Sequence, residues 1–290
     1  MRGRAAGCLA AALLAAGTTL GAVDPEYPVT GLVVAVDATA RQVTVSHDRI
    51  AGFMDAMTMP FEVRQPSDLA GVVPGAQVTF TLVVGRTAAY ATRIVVRRYE
   101  SVERDPRTAR RLGVMKRLAG LSAPPVSLGA RVPGFTLTNQ ARQSVSLAAL
   151  AGKVVVVTFV YTRCALPQFC VRMSDNFGAL QRRFGAALGR DLVLLTVTFD
   201  PERDTPEVLA AYADRWHANP AGWHFLTGPA TEIRRVCALF GQDAFPDEGL
   251  VNHSLHTAVI DRAGTLVANI EGNRFTHEQL GDLVQATLRR

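Results

Sequence analysis

The sequence predicts two folded domains, an all-β small barrel followed by an α/β layer domain. Three observations point to this division. Between residues 27 and 98, short β-branched runs alternate with turn residues and no helical periodicity intervenes. From 127 to 290, apolar strand-like runs alternate with amphipathic helical stretches. Between them, a basic segment at 99–126 that closes on Ala-Pro-Pro shares neither rhythm. With 290 residues and 48% hydrophobic content, the chain can fill about two cores.

The first element is a targeting segment, expected over 1–22. Arg2 and Arg4 precede an uncharged stretch from Ala5 to Val23 that is rich in Ala and Leu, with small residues at Gly17 and Ala22 for cleavage. Export to the periplasm is the expectation. Retention of the same segment as a membrane anchor competes with it, because its length is close to a bilayer span. Cys8 follows Ala-Ala-Gly as in a lipoprotein signal, but the seven residues before it are too few for an apolar core.

Five strands are expected next, at Gly31–Asp37, Gln42–His47, Met57–Val63, Gln77–Val84 and Ala89–Val96. So many short strands in so little chain favour a closed barrel of the OB type, since closure removes exposed edges. Within it, HDRIAGFMDAMTMPF (His47 to Phe61) holds three of the chain's six methionines. Met57 and Met59 flank Thr58, so they project from one face of their strand, and His47 ends the strand before. Neutral thioether sulfur suits Cu(I) or Ag(I) and is a poor ligand for zinc, calcium or magnesium. One methionine would be read as core filler; three beside a histidine point to metal.

The basic segment carries the formal charge. Eight Lys/Arg between Arg97 and Arg117 stand against Glu100, Glu103 and Asp105, which accounts for all the +4 left from the chain's +6 once Arg2 and Arg4 are set aside. A nucleic-acid partner would need a basic folded face with aromatic platforms, so that class is excluded. Leu112, Met115, Leu118, Ala119 and Leu121 fall at helical spacing with arginines opposite. A solvated linker helix is expected, leaving the two domains free to move independently; contact with an anionic membrane surface is the alternative.

Beyond the linker, Lys153–Tyr161, Leu192–Phe199 and His256–Asp261 read as strands, and Met173–Leu188, Pro206–Trp216, Ala230–Phe240 and Thr276–Leu288 as helices. After the first of these strands comes YTRCALPQFC, Tyr161 to Cys170, with cysteines six positions apart. On one helix they would sit on different faces about 9 Å apart along the axis. Cys164 and Cys170 therefore meet, as a redox pair or around one metal, only if the loop containing Pro167 folds back. A strand end leading into a helix N-terminus is where thioredoxin-like folds carry redox cysteines, and it favours thiolate. Asp204 or Thr205 before Pro206 reads as a helix start. Cys237 reads as a buried apolar residue, and His217, His224 and His277 as unpartnered surface or core histidines.

Two resemblances follow. His, a short spacer and Met-Thr-Met before Pro-Phe make residues 29–98 similar to the CusF-type periplasmic copper-binding domain, which implies His47, Met57 and Met59 as copper ligands. The spacing is one residue shorter here, and Met54 stands where the family has a capping tryptophan, as a fourth ligand or a cap. TFVYTRC, VTFDPERDTPEVLAAYA (Val197 to Ala213), GWHFLTG (Gly222 to Gly228) and HSLHTAVIDRAG (His253 to Gly264) resemble the Sco (SenC) family of thioredoxin-fold copper proteins. That resemblance implies two cysteines and one distant histidine as copper ligands, the histidine eight residues before the Asp of an Asp-x-x-Gly turn. Counting back from Asp261 reaches His253, so Cys164, Cys170 and His253 are implied to take Cu(I) and Cu(II). Most members have three residues between the cysteines, where this chain has five. The implied role is copper delivery to a cytochrome c oxidase subunit or another copper-accepting membrane protein. Thiol-disulfide exchange by Cys164 and Cys170 on oxidase cysteines, and periplasmic copper buffering, are the alternatives.

Overall fold

The computed structural model describes residues 24–99, 114, 124–164, 166–247 and 250–290. The export segment, Cys8 and the predicted linker helix, save Val114, lie outside the described residues.

Strands β1 (Glu26–Asp37), β2 (Gln42–His47), β3 (Met57–Val63), β4 (Gln77–Val84) and β5 (Ala89–Val96) close a barrel in the order β1-β2-β3-β5-β4. All neighbours are antiparallel except β3 and β5. Four of the five follow the sequence expectation; β1 begins at Glu26 rather than Gly31. Its first half, including Tyr27 and Pro28, lacks the apolar alternation of a strand and is held by pairing with β4, while its second half pairs with β2. Gly31 sits where the halves meet: a Cβ there would lie 2.5 Å from the Ser46 carbonyl oxygen, so only glycine fits. Val33, Val43, Val45, Phe61, Val78, Phe80 and Leu82 fill the interior.

The second domain is a seven-stranded sheet in the order β14-β13-β8-β9-β10-β6-β7. Its strands are β6 (Thr136–Asn139), β7 (Ser144–Ser146), β8 (Val154–Val160), β9 (Leu192–Thr198), β10 (Trp223–Thr227), β13 (His256–Ile260) and β14 (Leu266–Glu271). A separate hairpin joins β11 (Ala244–Asp247) to β12 (Leu250–His253). β8, β9 and β10 run parallel at the centre, and every residue of β8 and β9 is buried, as the unbroken apolar runs require of strands covered on both faces. Helices α1 (Arg172–Arg183), α2 (Pro206–Arg215) and α4 (His277–Leu288) cover one face. Helix α3 (Ala230–Leu239) covers the other. This is the α/β, thioredoxin-like arrangement expected. α1 stops at Arg183 rather than Leu188: the chain turns through Gly185 and the positive-φ Gly189 while Phe184 and Leu188 still pack on the core.

The expected independence of the two domains does not hold. Leu32 on β1 points out of the barrel and is completely buried in the core of the second domain, with Ala268 and Ile270 of β14 and Leu280 and Leu283 of α4. Burial of one leucine contributes roughly 1.5–3 kcal/mol. Gly75, at φ +84°, lets the barrel approach closely enough that a Cβ would lie 2.9 Å from that of Ala268. Hydrogen bonds from Ser46 and Thr58 to Asp282 of α4 complete the contact.

Two candidate copper centres

The C-terminal centre is built where β8 ends. Its chain leaves the sheet at Tyr161, turns through Thr162 and Arg163 to Cys164, and re-enters through a wide turn, Pro167–Val171, before α1. Phe169, at φ −108° and ψ −108°, is the non-helical residue within that turn. The loop folds back as the pairing argument requires. The Cys164 and Cys170 sulfurs and a His253 ring nitrogen all lie within 4.8 Å of one another. Cys170 is fully buried and Cys164 half-buried.

The two thiols are electrostatically unequal. A hydrogen bond from the Cys170 thiol, and then one with His253, holds Cys164 at about 4, far below an ordinary thiol. Cys170 is driven up, first because its proton is engaged by Cys164 and then by burial. At neutral pH the pair is one exposed-side thiolate and one buried thiol. Burial, and then the charge on Cys164, lifts the neighbouring Tyr161 hydroxyl to about 12, so it stays a donor toward that sulfur.

His253 differs from its expected setting. It ends strand β12, with Ala244 as its partner, instead of lying in a loop. Its Nδ1 lies 2.7 Å from the Ser254 carbonyl oxygen. A carbonyl only accepts, so Nδ1 carries the proton and Nε2 is the nitrogen left for a metal. Tyr161, Phe169 and Phe199 surround the ring, the closest being Phe199 with its centroid at 4.8 Å. His256 begins β13 on the face of Ala258, which packs on the α3 side of the sheet, and its Nδ1 meets Asn269 Oδ1 at 3.2 Å. Cys170 packs on the other side. Cys237 also belongs to the α3 side, where burial pushes its thiol up to about 12, so it takes no part in the centre.

Sequence reasoning undervalued Asp204. Thr205 is the residue that caps α2. Asp204 is fully buried instead, accepting from the Thr162 N–H at 3.1 Å, the Thr162 hydroxyl at 2.5 Å and the Thr198 hydroxyl at 2.5 Å. It ties the cysteine loop to the end of β9. Asp200, at the same strand end, pairs at 2.8 Å with Arg163, the residue before Cys164. Asp204→Ala leaves buried donors unpaired, so we expect a loss of about 3 kcal/mol in urea unfolding and weaker copper binding at this centre. Wild-type stability would show that the loop is held by other means. The sequence signal that could have found Asp204 is a second acid, beyond the capping threonine, in Asp-x-x-x-Asp-Thr-Pro.

The barrel centre has a different chemistry. His47 and Met57 are direct partners across β2 and β3, and Met59 follows two residues on, on the same inward-facing side, opposite Val45. Direct partners on one face carry Cβ atoms about 4.5–5.5 Å apart. Met57 is 52% exposed, whereas Met59 and Met54 pack against the barrel core. Met54 bridges to Ile50 in the tight turn that follows β2. His47 Nδ1 lies 2.8 Å from the Asp48 carbonyl oxygen, so it too is protonated there. Its Nε2 is buried without a hydrogen-bond partner. Such an orphan is costly in an apolar barrel unless something ligates it, and a soft metal held by thioethers fits it. The three remaining histidines stay outside both clusters; His224 is half-buried, and desolvation lowers its pKa.

Two family models match the chain. SCO1/SenC matches residues 128–288, and the copper binding periplasmic protein CusF matches residues 26–94. The SCO1 protein homolog of Bacillus subtilis is 33% identical over 101 residues, covering 35% of this chain and 51% of that one. The sco1 protein of Schizosaccharomyces pombe is 27% identical over 154 residues, covering 50% of this chain and 56% of that one. The chain thus spans about half the length of these curated relatives. Among solved structures, a candidate electron transfer protein from Aquifex aeolicus VF5 superposes with a TM-score of 0.50 at 21% identity, over 56% of this chain and 94% of its own. That likeness concerns the fold alone.

Proposed function

The chain belongs to the SCO1/SenC family, and from that premise we propose that it is an exported protein that binds copper at two centres and delivers it to a copper-accepting membrane protein, a cytochrome c oxidase subunit being the first candidate. The convergence of Cys164, Cys170 and His253 within 4.8 Å carries the reading. Two sulfurs and one imidazole form a donor set soft enough for Cu(I) and able to take Cu(II). His47, Met57 and Met59, with Met54 as cap or further ligand, form the second centre.

In this reading the chain's own groups divide the work. Cys164 is already deprotonated and meets incoming copper; Cys170 gives up its proton on ligation; His253, fixed through Nδ1, supplies Nε2. The centre without thiolates holds copper more reversibly, and its place in the same chain raises the local copper concentration beside the cysteines. Domain limits of 27–98 and 127–290, with export through 1–22, belong to the same proposal. No helix among the described residues is long and apolar enough to cross a membrane.

The test is an anaerobic Cu(I) titration of the reduced protein. It should bind two equivalents, and Met57→Ala with Met59→Ala should reduce this to one. Two equivalents at unchanged affinity in that variant would remove the barrel centre from the proposal. A second reading, thiol-disulfide exchange with client cysteines, is favoured by the unequal thiols: the Cys164 thiolate would attack a client disulfide and Cys170 would resolve it, oxidising this protein and reducing the client.

A further inference from the structure

The last helix of the second domain grips the barrel at the residues that flank its candidate ligands. In the first turn of α4, Gln279 Nε2 donates to the Ser46 carbonyl oxygen at 3.3 Å and to Asp48 Oδ1 at 3.0 Å, the two residues on either side of His47. Gln279 is itself fixed, because its Oε1 accepts from the Thr276 N–H in the capping box that starts the helix. Three residues on, and so on the same helix face, Asp282 Oδ2 accepts from the Ser46 hydroxyl at 2.7 Å and from the Thr58 hydroxyl at 2.5 Å. Thr58 is the residue between Met57 and Met59. The other oxygen of Asp282 is held by Arg183 of α1 at 2.6 Å. Burial works against charge on this carboxyl, yet hydrogen bonds from Thr58, Ser46 and Arg183 together keep it below the ordinary carboxylate value.

One carboxylate therefore joins β2 to β3 from outside the barrel, at the cross-strand level where His47 faces Met57 inside it. Ser46 and Thr58 are themselves direct partners in that ladder. Pleating puts their side chains on the opposite face from the ligands, so a group that fixes them fixes the strand backbone from which the ligands project. An isolated barrel would leave both hydroxyls to water and the end of β3, with Met57 exposed, free to splay.

We propose that α4 is the positioning element of the barrel's copper centre, with Asp282 as its central residue, so that the second domain sets the geometry and affinity of the first domain's site. This rests on the reading of His47, Met57 and Met59 as copper ligands. Asp282 touches no copper in this arrangement. It acts through Ser46 and Thr58.

The experiment uses the full chain carrying Cys164→Ser and Cys170→Ser, so that Cu(I), measured anaerobically by competition with a chelator, reports the barrel centre alone. Asp282→Ala should weaken Cu(I) binding roughly tenfold, the lower end of the range for groups that orient metal ligands from outside. Ser46→Ala with Thr58→Ala should weaken it to a similar degree, and the three changes together should weaken it no further, because each set removes the same contact. Amide hydrogen exchange of the unloaded protein gives a second readout: residues 46–48 and 57–59 should exchange faster in each variant, with the rest of the barrel unchanged. If Asp282→Ala does not fold, the Ser46 and Thr58 pair, on the barrel side, carries the same expectation. Wild-type affinity in Asp282→Ala, or losses that multiply in the combined variant, would overturn the proposal. Met57→Ala with Met59→Ala separates the two readings. If that pair abolishes binding while Asp282→Ala does not, only the positioning role falls; if it leaves binding intact, the barrel centre falls and this role with it.

Discussion

His253→Ala abolishes the thiolate-to-Cu(II) absorption and lowers copper affinity by more than about a hundredfold, whereas His256→Ala keeps the spectrum. The expected gap is large because, in the proposed centre, only one of these histidines supplies a ligand nitrogen. Outer partners of a metal centre typically cost 10–100-fold when removed, and a ligand should exceed that. His253 stands within 4.8 Å of both sulfurs, with its Nδ1 proton committed to Ser254. His256, three residues on, is turned to the α3 face of the sheet and bonded to Asn269. Electronic absorption and competition titration of the two variants decide the matter, and the reverse pattern would reassign the ligand.

Oxidation should join Cys164 to Cys170 and eliminate the C-terminal centre entirely, while the barrel centre still takes its Cu(I). With a small disulfide as oxidant, the Cys164 thiolate attacks one of its sulfurs and expels a thiolate; Cys170, within 4.8 Å, then loses its proton and displaces the second thiolate from the mixed disulfide, so the protein is oxidised and the small disulfide reduced. With Cys164 held at about 4, its thiolate persists as pH falls and is lost only when pH drops through that value. Disulfide formation should therefore continue well into mildly acidic solution, where an ordinary thiol would be protonated and slow. Peptide mass mapping should place the bond between residues 164 and 170, and copper stoichiometry should fall by one equivalent. A disulfide that includes Cys237, or an oxidised protein that still binds two equivalents, would contradict the arrangement.

Much of the fold was legible because its signals are local. A period of two with turn residues at each end located β2 to β5 to the residue, since the inward positions, His47 apart, are apolar and fill the barrel. The unbroken runs of β8 and β9 announced strands covered on both faces. β10 and β14, one central and one at the edge, carried weaker signals: Trp223–Thr227 and Leu266–Glu271 are short, contain polar residues, and owe their strand character to the neighbours they pair with. The thiols and methionines were legible for a chemical reason. Soft donors clustered in an otherwise unremarkable composition are conspicuous whatever the fold.

What the sequence by itself determined was the presence of two domains, the strand and helix periodicities, and the donor atoms available to a metal. The folded chain alone decided how those donors are held. Asp204 reads in sequence as a possible helix cap, because an acid before Thr-Pro looks like one; two donors from Thr162, forty-two residues away, and the nearby Thr198 hydroxyl make it the anchor of the cysteine loop. Leu32 looked like one more residue of a barrel strand until a second core closed over it. Asp282 carries no mark in the helical stretch Thr276–Leu288, and its hydroxyl partners lie more than two hundred residues away. Periodicity encodes which face of an element is apolar, but it carries no record of what that face will meet. A buried carboxylate is defined by its donors, and those come together only when the chain has folded.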